Sequence, residues 1–176
     1  AEKSARAGAE LEGLGARAIA VTADVSRGEQ VQAMVRSVVQ ALGRVDILVN
    51  NAGTNIRKLP QDLTEAEWHT VMDTNLTSAW LCAKACYPEM KKAGGGKVLN
   101  NGSMMSIFGA PWTPVYAATK GGMVQLTKAL ATAWAKDHIQ VNCFLPGWID
   151  TELTQRAREQ VPGLHDSVLK RTPSGR

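Results

Sequence analysis

Short apolar runs alternate along this chain with longer segments in which apolar residues recur every three or four positions. The apolar runs are rich in Val, Ile and Leu and predict buried strands at residues 16–23, 45–50, 97–101 and 139–145. The segments between them predict amphipathic helices at residues 1–14, from Ser26 to Gly43, at residues 64–92 and at residues 115–136. The segment after residue 147 predicts one or two short helices and no strand.

Local signals mark where two of these helices begin and where one of them bends. Ser26 with Glu29, and Thr64 with Glu67, have the spacing of a capping box, in which two side chains satisfy free backbone N–H groups. Asn75 lies within an apolar helical pattern, where Asn is unfavourable. We therefore expect the third helix to bend near Asn75.

The alternation of strands and helices predicts an α/β fold with a parallel sheet and right-handed crossovers. Continuous apolar strands are typical of sheets that are covered on both faces. In such sheets ligands bind beyond the carboxyl ends of the strands. These ends lie at Asp24, Asn51-Ala52-Gly53, Ser103 and Pro146-Gly147.

Composition narrows the range of function classes. The 176 residues suit a single domain of ordinary globular composition, with 44% hydrophobic and 20% charged residues. The net charge of +4 is scattered along the chain, which argues against a nucleic-acid partner. We expect no membrane span, no metal site and a cytoplasmic location, in which Cys82, Cys86 and Cys143 are free thiols.

A phenol and an ammonium group are the strongest chemical candidates. Tyr116 and Lys120 are four residues apart at the start of a predicted helix, which places them on one face. A nearby positive charge lowers the pKa of a phenol, so that it can exchange a proton with a substrate oxygen. Ser103, at the end of the preceding strand, is placed to bind the same oxygen, and Ser106 is its local rival.

The order of these residues resembles the short-chain dehydrogenase/reductase family. Each motif is weak by itself, but the ordered set is specific and covers nearly the whole chain. It comprises Asp24, Asn51-Ala52-Gly53, Asn75, Ser103, Tyr116-x-x-x-Lys120 and Pro146-Gly147-x-x-x-Thr151. The resemblance implies a doubly wound, Rossmann-like parallel sheet and NAD or NADP as cofactor. It also implies a homotetramer packed through the helices near residues 63–92 and 115–136.

The resemblance also implies a role for each matched residue. Tyr116 is the proton donor or acceptor, and Lys120 lowers its pKa and holds the nicotinamide ribose. Ser103 positions the substrate oxygen, and Asn75 holds a water of the proton relay. The implied cofactor contacts are Asp24, Val25, Asn51, Ala52, Gly53, Tyr116, Lys120, Pro146, Gly147, Trp148, Ile149 and Thr151.

The chain departs from the family pattern at both ends and near Ser103. The family opens with a strand, a Gly-rich turn, a helix and a second strand, and it closes with a further helix and strand. We therefore expect an internal fragment, incomplete at both ends, which by itself binds cofactor weakly and turns over little. The choice between NAD and NADP stays open, because the residue that distinguishes the two cofactors lies at the end of the family's second strand. Asn101 stands where an apolar residue is usual, and Gly102 where Ser is common.

Three functions are compatible with these residues. The favoured function is an NAD(P)-dependent oxidoreductase acting on a secondary alcohol or ketone, with a sugar, sugar acid or polyol as substrate. A 3-oxoacyl thioester reductase shares much of the same pattern. A truncated, non-catalytic scaffold keeps the fold without the activity. A dehydratase or epimerase with the same Tyr–Lys pair is disfavoured by Asn51-Ala52-Gly53 and Pro146-Gly147.

Overall fold

A computed structural model describes residues 2–173 and 175 of the chain. The chain divides into two compact units, with the boundary after Leu145. The first unit contains the sheet and most helices, and the second contains two short helices. The interpretation of the whole chain as one domain stays a prediction.

Seven α-helices and three β-strands make up the regular structure of the described residues. In the first unit the helices are α1 (Glu2–Gly13), α2 (Gly28–Leu42), α3 (Glu65–Met72), α4 (Ser78–Lys92) and α5 (Pro114–Trp134). The strands are β1 (Ile47–Asn50), β2 (Gly96–Asn101) and β3 (Ile139–Phe144). The second unit holds α6 (Glu152–Gln160) and α7 (Leu164–Arg171), as expected for a tail of short helices.

The three strands form a parallel sheet in the order β1-β2-β3. The expected Rossmann-like α/β architecture is thereby confirmed. Helices α2, α4 and α5 contribute to the core on one face, where their side chains pack with those of the strands around Val98 and Met90, both almost fully buried. Each such side chain stabilises the fold by about 1.5–3 kcal/mol. The core cluster comprises Val35, Val45, Cys86, Met90, Val98, Ile139 and Val141.

The other face of the sheet is open in the described part of the chain. Side chains alternate between the two faces of a strand, and the apolar residues on this face, Ile47, Val49 and Leu99, are exposed. The continuous apolar strands predict that both faces of the sheet are covered. The described helices of the first unit cover only one face.

Two local predictions were wrong. Residues 16–23 form no strand, because no other described strand lies beside them to complete a hydrogen-bonded ladder. Ser26 does not cap α2, whose N-cap is Arg27 without a side-chain cap bond. Instead the backbone N–H and the hydroxyl of Ser26 both donate to the carboxylate of Asp24. The local Asx turn thus competes with the expected capping box.

The predicted bend near Asn75 is a single π-helical turn. Helix α3 begins at a complete capping box of Thr64 and Glu67, as expected. The turn at Asp73–Thr77 then widens the helix before α4 continues from Ser78. Such wide turns redirect side chains and are frequent at functional sites. Here the turn contains Asn75, whose side chain is almost fully buried.

The residue that follows β2, Gly102, is a glycine because the fold leaves no room for a side chain there. A Cβ at this position would overlap the side chain of Leu145 and lie 2.8 Å from the sulfur of Cys143. It would also lie 3.0 Å from the carbonyl oxygen of Phe144. The departure from Ser at this position therefore has a packing cause. It allows β2 and β3 to approach closely just before Ser103.

Candidate active site

Ser103, Tyr116 and Lys120 come together where β2 ends and α5 begins. Ser103 lies two residues after the end of the strand and is buried. Tyr116 and Lys120 lie in the first two turns of α5, and the ammonium nitrogen of Lys120 is 5.4 Å from the centre of the Tyr116 ring. The hydroxyl of Ser103 lies close enough to the phenol to lower its pKa. The spacing of four residues thus places the side chains of Tyr116 and Lys120 on the face of α5 that is directed toward Ser103.

The pKa of Tyr116 departs from the expected direction. Burial raises the pKa of the phenol above its ordinary value, because the charged form loses hydration. The hydroxyl of Ser103 and the positive charge of Arg57 both lower the pKa of Tyr116, but these effects are weaker than that of burial. The net direction, a raised pKa, is opposite to the one that the spacing of Tyr116 and Lys120 predicts, and the cation that lowers the pKa here is Arg57. The effect of Lys120 on the phenol when cofactor is bound stays a prediction.

Lys120 is anchored to the strand beneath it. Its side chain is 4% exposed, and its ammonium group donates to the backbone carbonyl of Asn101 at 2.6 Å. Burial lowers the pKa of Lys120, while the nearby thiol of Cys143 raises it. One strong hydrogen bond from a buried ammonium leaves two of its three N–H groups for other acceptors.

The structure separates the two candidate serines. The hydroxyl of Ser106 donates to the backbone carbonyl of Lys120 at 2.7 Å, which ties the short turn Met104–Ser106 to α5. Ser103 instead lies beside the phenol of Tyr116, whose pKa it lowers, and accepts from the backbone N–H of Met105 at 3.1 Å. Ser103 is therefore the hydroxyl beside the phenol, and Ser106 has a structural bond.

Asn75 links the loop after β1 to α5. Its side-chain oxygen accepts from the backbone N–H of Thr54 at 2.7 Å, and its NH2 group donates to the carbonyl of Thr54 at 2.9 Å. The same NH2 group donates to the hydroxyl of Thr119 at 3.2 Å. Thr119 directly precedes Lys120. The amide thus fixes the loop against the helix that carries the Tyr–Lys pair, a role that the sequence did not indicate.

Arg57 is the main residue that the sequence analysis missed. It is half-buried, and its charge acts on Tyr116. The loop that carries it is fastened on both sides, at Thr54 by Asn75 and at Lys58 by an ion pair with Glu67 of α3 at 2.6 Å. The spacing of Arg57 from the motif Asn51-Ala52-Gly53 gives no signal by itself, because only the path of the loop brings the guanidinium to the phenol.

The carboxyl ends of β1 and β2 offer groups that fit a dinucleotide. Asn51, Ala52 and Gly53 are exposed, so backbone and small side chains are open to a ligand. A Cβ on Gly53 would lie 3.4 Å from the side-chain oxygen of Asn75, a close contact. The side-chain oxygen of Asn101 is buried without a hydrogen-bond partner in the described structure. Together with the ammonium of Lys120, these groups suit the hydroxyl-rich riboses of a nicotinamide dinucleotide.

Asp24 and Val25 lie on a separate loop before α2. The carboxylate of Asp24 accepts two hydrogen bonds from Ser26, which lower its pKa. Its backbone N–H donates to the side chain of Gln30 at 2.7 Å. Val25 is half-buried. Their contact with a cofactor stays a prediction, since these bonds explain the loop without one.

The remaining predicted cofactor residues belong to the second unit. There Thr151 caps α6 through reciprocal bonds with Thr154. Arg158 forms an ion pair with Asp150 at 3.0 Å, which accounts for one of the basic side chains of this segment. The role of these residues toward cofactor stays a prediction: Pro146, Gly147, Trp148, Ile149 and Thr151.

The described residues show neither a membrane-spanning helix nor a metal cluster. Over this part of the chain no helix combines the length and the apolar character needed to cross a bilayer. Nor do three His, Cys, Asp or Glu side chains among these residues converge on a metal position. Cys82 and Cys86 are buried free thiols, and burial raises the pKa of Cys86 to about 12. They pack as small apolar side chains.

Comparison with known proteins gives a consistent picture. A family model described as short chain dehydrogenase matches residues 1–162. The chain is 37% identical over 166 residues to 2-dehydro-3-deoxy-D-gluconate 5-dehydrogenase of Escherichia coli, covering 93% of this chain and 64% of that protein. It is 35% identical over 164 residues to the 3-oxoacyl-[acyl-carrier-protein] reductase FabG of Staphylococcus epidermidis, covering 93% of this chain and 66% of that protein.

A solved structure is similar over the same extent. It is a gluconate 5-dehydrogenase from Burkholderia cenocepacia in complex with NADP and tartrate, with a TM-score of 0.93 and 36% identity. The match covers 99% of this chain and 68% of that one. The chain thus spans slightly less than two thirds of the length of the two curated relatives, at 64% and 66%.

Proposed function

This chain belongs to the short chain dehydrogenase family, and we propose that the protein is an oxidoreductase that interconverts a secondary alcohol and a ketone with NAD or NADP. The observation that carries the proposal is the convergence of three groups: the hydroxyl of Ser103 lies beside the phenol of Tyr116, and the buried ammonium of Lys120 lies 5.4 Å from the centre of the same ring. A phenol, a hydroxyl and an ammonium in this arrangement suit proton transfer at a substrate oxygen.

In this proposal each group has a separate task. The cofactor, when bound, supplies or accepts the hydride, and the protein provides orientation and charge. Tyr116 transfers the proton at the substrate oxygen, and Ser103 donates a hydrogen bond that positions that oxygen. Lys120, fixed by the carbonyl of Asn101, directs its remaining N–H groups to the cofactor ribose. Asn75 keeps the loop of Arg57 against α5 and holds the water of the relay.

A sugar acid is the substrate class that the charges favour. The guanidinium of Arg57 acts on the phenol of Tyr116, so a carboxylate bound near the reacting carbon meets a positive charge. Planar guanidinium groups bind carboxylates through two parallel hydrogen bonds. The similarity to the gluconate-type dehydrogenases is consistent with this class. The second candidate is a 3-oxoacyl thioester reductase, which the similarity to FabG favours.

A substrate panel with the full-length protein tests the proposal. We expect alcohol oxidation of aldonic acids such as gluconate, with NAD or NADP, at a kcat/KM at least about tenfold above that of neutral polyols, since a charge-assisted hydrogen bond contributes about 1.5–3 kcal/mol. Reduction of a 3-oxoacyl thioester alone would support the second candidate. Turnover of none of these compounds with either cofactor would contradict both.

Arg57 gives the proposal a pH signature. Because its charge lowers the pKa of Tyr116, Arg57→Met is expected to raise that pKa further. The proton acceptor needed for alcohol oxidation then forms at higher pH, so the acidic limb of the kcat profile moves toward alkaline pH and activity near neutrality falls. The exposed residue Arg36 of α2 offers a matched control. Arg36→Met is expected to leave the limb in place, and a shift of equal size in both variants would contradict the assignment.

The same family membership supports two finer proposals about the whole protein. We propose a homotetramer packed through the α3–α4 and α5 helices, of which α4 exposes Trp80 and α3 exposes Trp68. Light scattering of the full-length protein measures the mass that this requires. We also propose a cytoplasmic location, with which three free cysteines are compatible.

A further inference from the structure

Asn101, the last residue of β2, connects two parts of the site. Its NH2 group donates to the side-chain oxygen of Asn51 at 2.7 Å, while its backbone carbonyl accepts from Lys120 at 2.6 Å. The preceding Asn100 is used differently, since its amide is buried between Asn50 and Thr127. Side chains alternate along a strand, so the amide of Asn101 lies on the opposite face of the sheet from Asn100.

One atom of this side chain is unsatisfied. The side-chain oxygen of Asn101 is buried and has no hydrogen-bond partner among the described residues. Burying an acceptor without a donor costs free energy, because the bond to water is lost and not replaced. An apolar side chain, which the family resemblance leads one to expect here, would carry no such cost. The amide of Asn101 therefore needs a donor from outside the described chain.

The surroundings of the side-chain oxygen of Asn101 indicate which kind of donor it can bind. Asn51 belongs to the exposed strand end Asn51-Ala52-Gly53, and the carbonyl of Asn101 holds Lys120. Resting on the proposed function, we propose that Asn101 is a positioning residue for the cofactor. Its side chain fixes the amide of Asn51, and its free oxygen accepts a hydrogen bond from a ribose hydroxyl of the nicotinamide dinucleotide. Because the oxygen of Asn51 is engaged by Asn101, its NH2 group is the donor offered to the same ligand.

Calorimetric titration of the full-length protein with NADH and with NADPH, in the absence of substrate, tests this role. Asn101→Leu keeps the side-chain size but removes both polar groups. It is expected to raise the Kd of the preferred cofactor about tenfold, as when a hydrogen bond and its buried partner are lost. The fall in kcat at saturating cofactor is expected to be clearly smaller than the rise in Kd, because any residue at this position keeps the carbonyl that holds Lys120. The exposed Asn142 of β3 provides the matched control, and Asn142→Leu is expected to leave the Kd unchanged.

A second variant keeps the inference testable if Asn101→Leu destabilises the strand. Asn51→Ala lies at an exposed position and removes the partner amide. If Asn101 acts through Asn51, the double variant binds cofactor less weakly than the product of the two single losses predicts. Multiplicative losses, an unchanged Kd in Asn101→Leu, or a fall in kcat as large as the rise in Kd would each overturn the inference. Absence of binding of either dinucleotide to the unaltered protein would overturn the proposed function first.

Discussion

Replacing Tyr116 with Phe is expected to lower the kcat of the full-length protein about 10²–10⁴-fold, the range typical of losing a positioned acid–base group. The ring of Tyr116 is retained, so the packing at the start of α5 changes little, and only the hydroxyl beside Ser103 is lost. Cofactor affinity is expected to change much less than kcat, because the ammonium of Lys120 stays anchored on Asn101. Steady-state kinetics with the best substrate of the panel, together with cofactor titration, measure both quantities.

The second tyrosine of the chain offers a matched control. The hydroxyl of Tyr87 donates to Asp137 at 2.7 Å, and its ring packs on Trp134, away from the Tyr–Lys pair. Tyr87→Phe is expected to keep kcat and to lower the free energy of unfolding by about 1 kcal/mol, the value of one hydrogen bond. If Tyr116→Phe retained kcat within about tenfold, or if Tyr87→Phe lost as much activity, the phenol of Tyr116 would not be the proton-transfer group.

Replacing Asn75 with Ala is expected to lower the free energy of unfolding by about 2–4 kcal/mol, which is large for a single substitution. The change removes three hydrogen bonds and leaves both backbone groups of Thr54 without their side-chain partner. The loop of Arg57 then loses its attachment to α5, so kcat is also expected to fall. Chemical denaturation measures the stability, and activity at saturating substrate measures the loss of function.

A control variant distinguishes the loss of the hydrogen bonds of Asn75 from the general effect of removing an amide side chain. Asn142→Ala deletes an exposed amide of β3 and is expected to change stability by less than about 0.5 kcal/mol. Equal stability of the two variants would show that the bonds of Asn75 do not hold the loop. If Asn75→Ala lost stability but kept its activity, Asn75 would stabilise the π-helical turn without determining the position of Arg57.

The relative positions of the predicted site residues follow from the sequence where local spacing decides geometry, whereas their roles stay predictions. Tyr116 and Lys120 lie on one face because α5 is helical from Pro114, and Ser103 reaches the phenol because β2 ends just before it. The choice between Ser103 and Ser106 stayed open in the sequence, since both hydroxyls follow the strand. The structure favours Ser103, because the hydroxyl of Ser106 donates to the carbonyl of Lys120, a bond that the sequence does not encode locally.

The pKa values and charges of the site were much harder to predict from the sequence. The sequence placed an ammonium near a phenol and led to the expectation of a lowered pKa. The structure shows that burial dominates and raises the pKa of Tyr116, while the opposing charge belongs to Arg57. Burial depends on all the segments that pack around a group, and Arg57 reaches the site only through a loop fastened by Asn75 and Glu67. Neither quantity can be read from spacing.

The sequence by itself determined the α/β architecture, the parallel strands after residue 45, the capping box at Thr64 and the Ser103–Tyr116–Lys120 set. These follow from side-chain periodicity and turn chemistry, which act over a few residues. Only the tertiary structure decided that residues 16–23 form no strand and that Asn75 joins a loop to α5. It also decided that the amide of Asn101 holds Asn51. The physical reason is that a strand needs a neighbour and a buried amide needs partners, and both are supplied by residues distant in the chain.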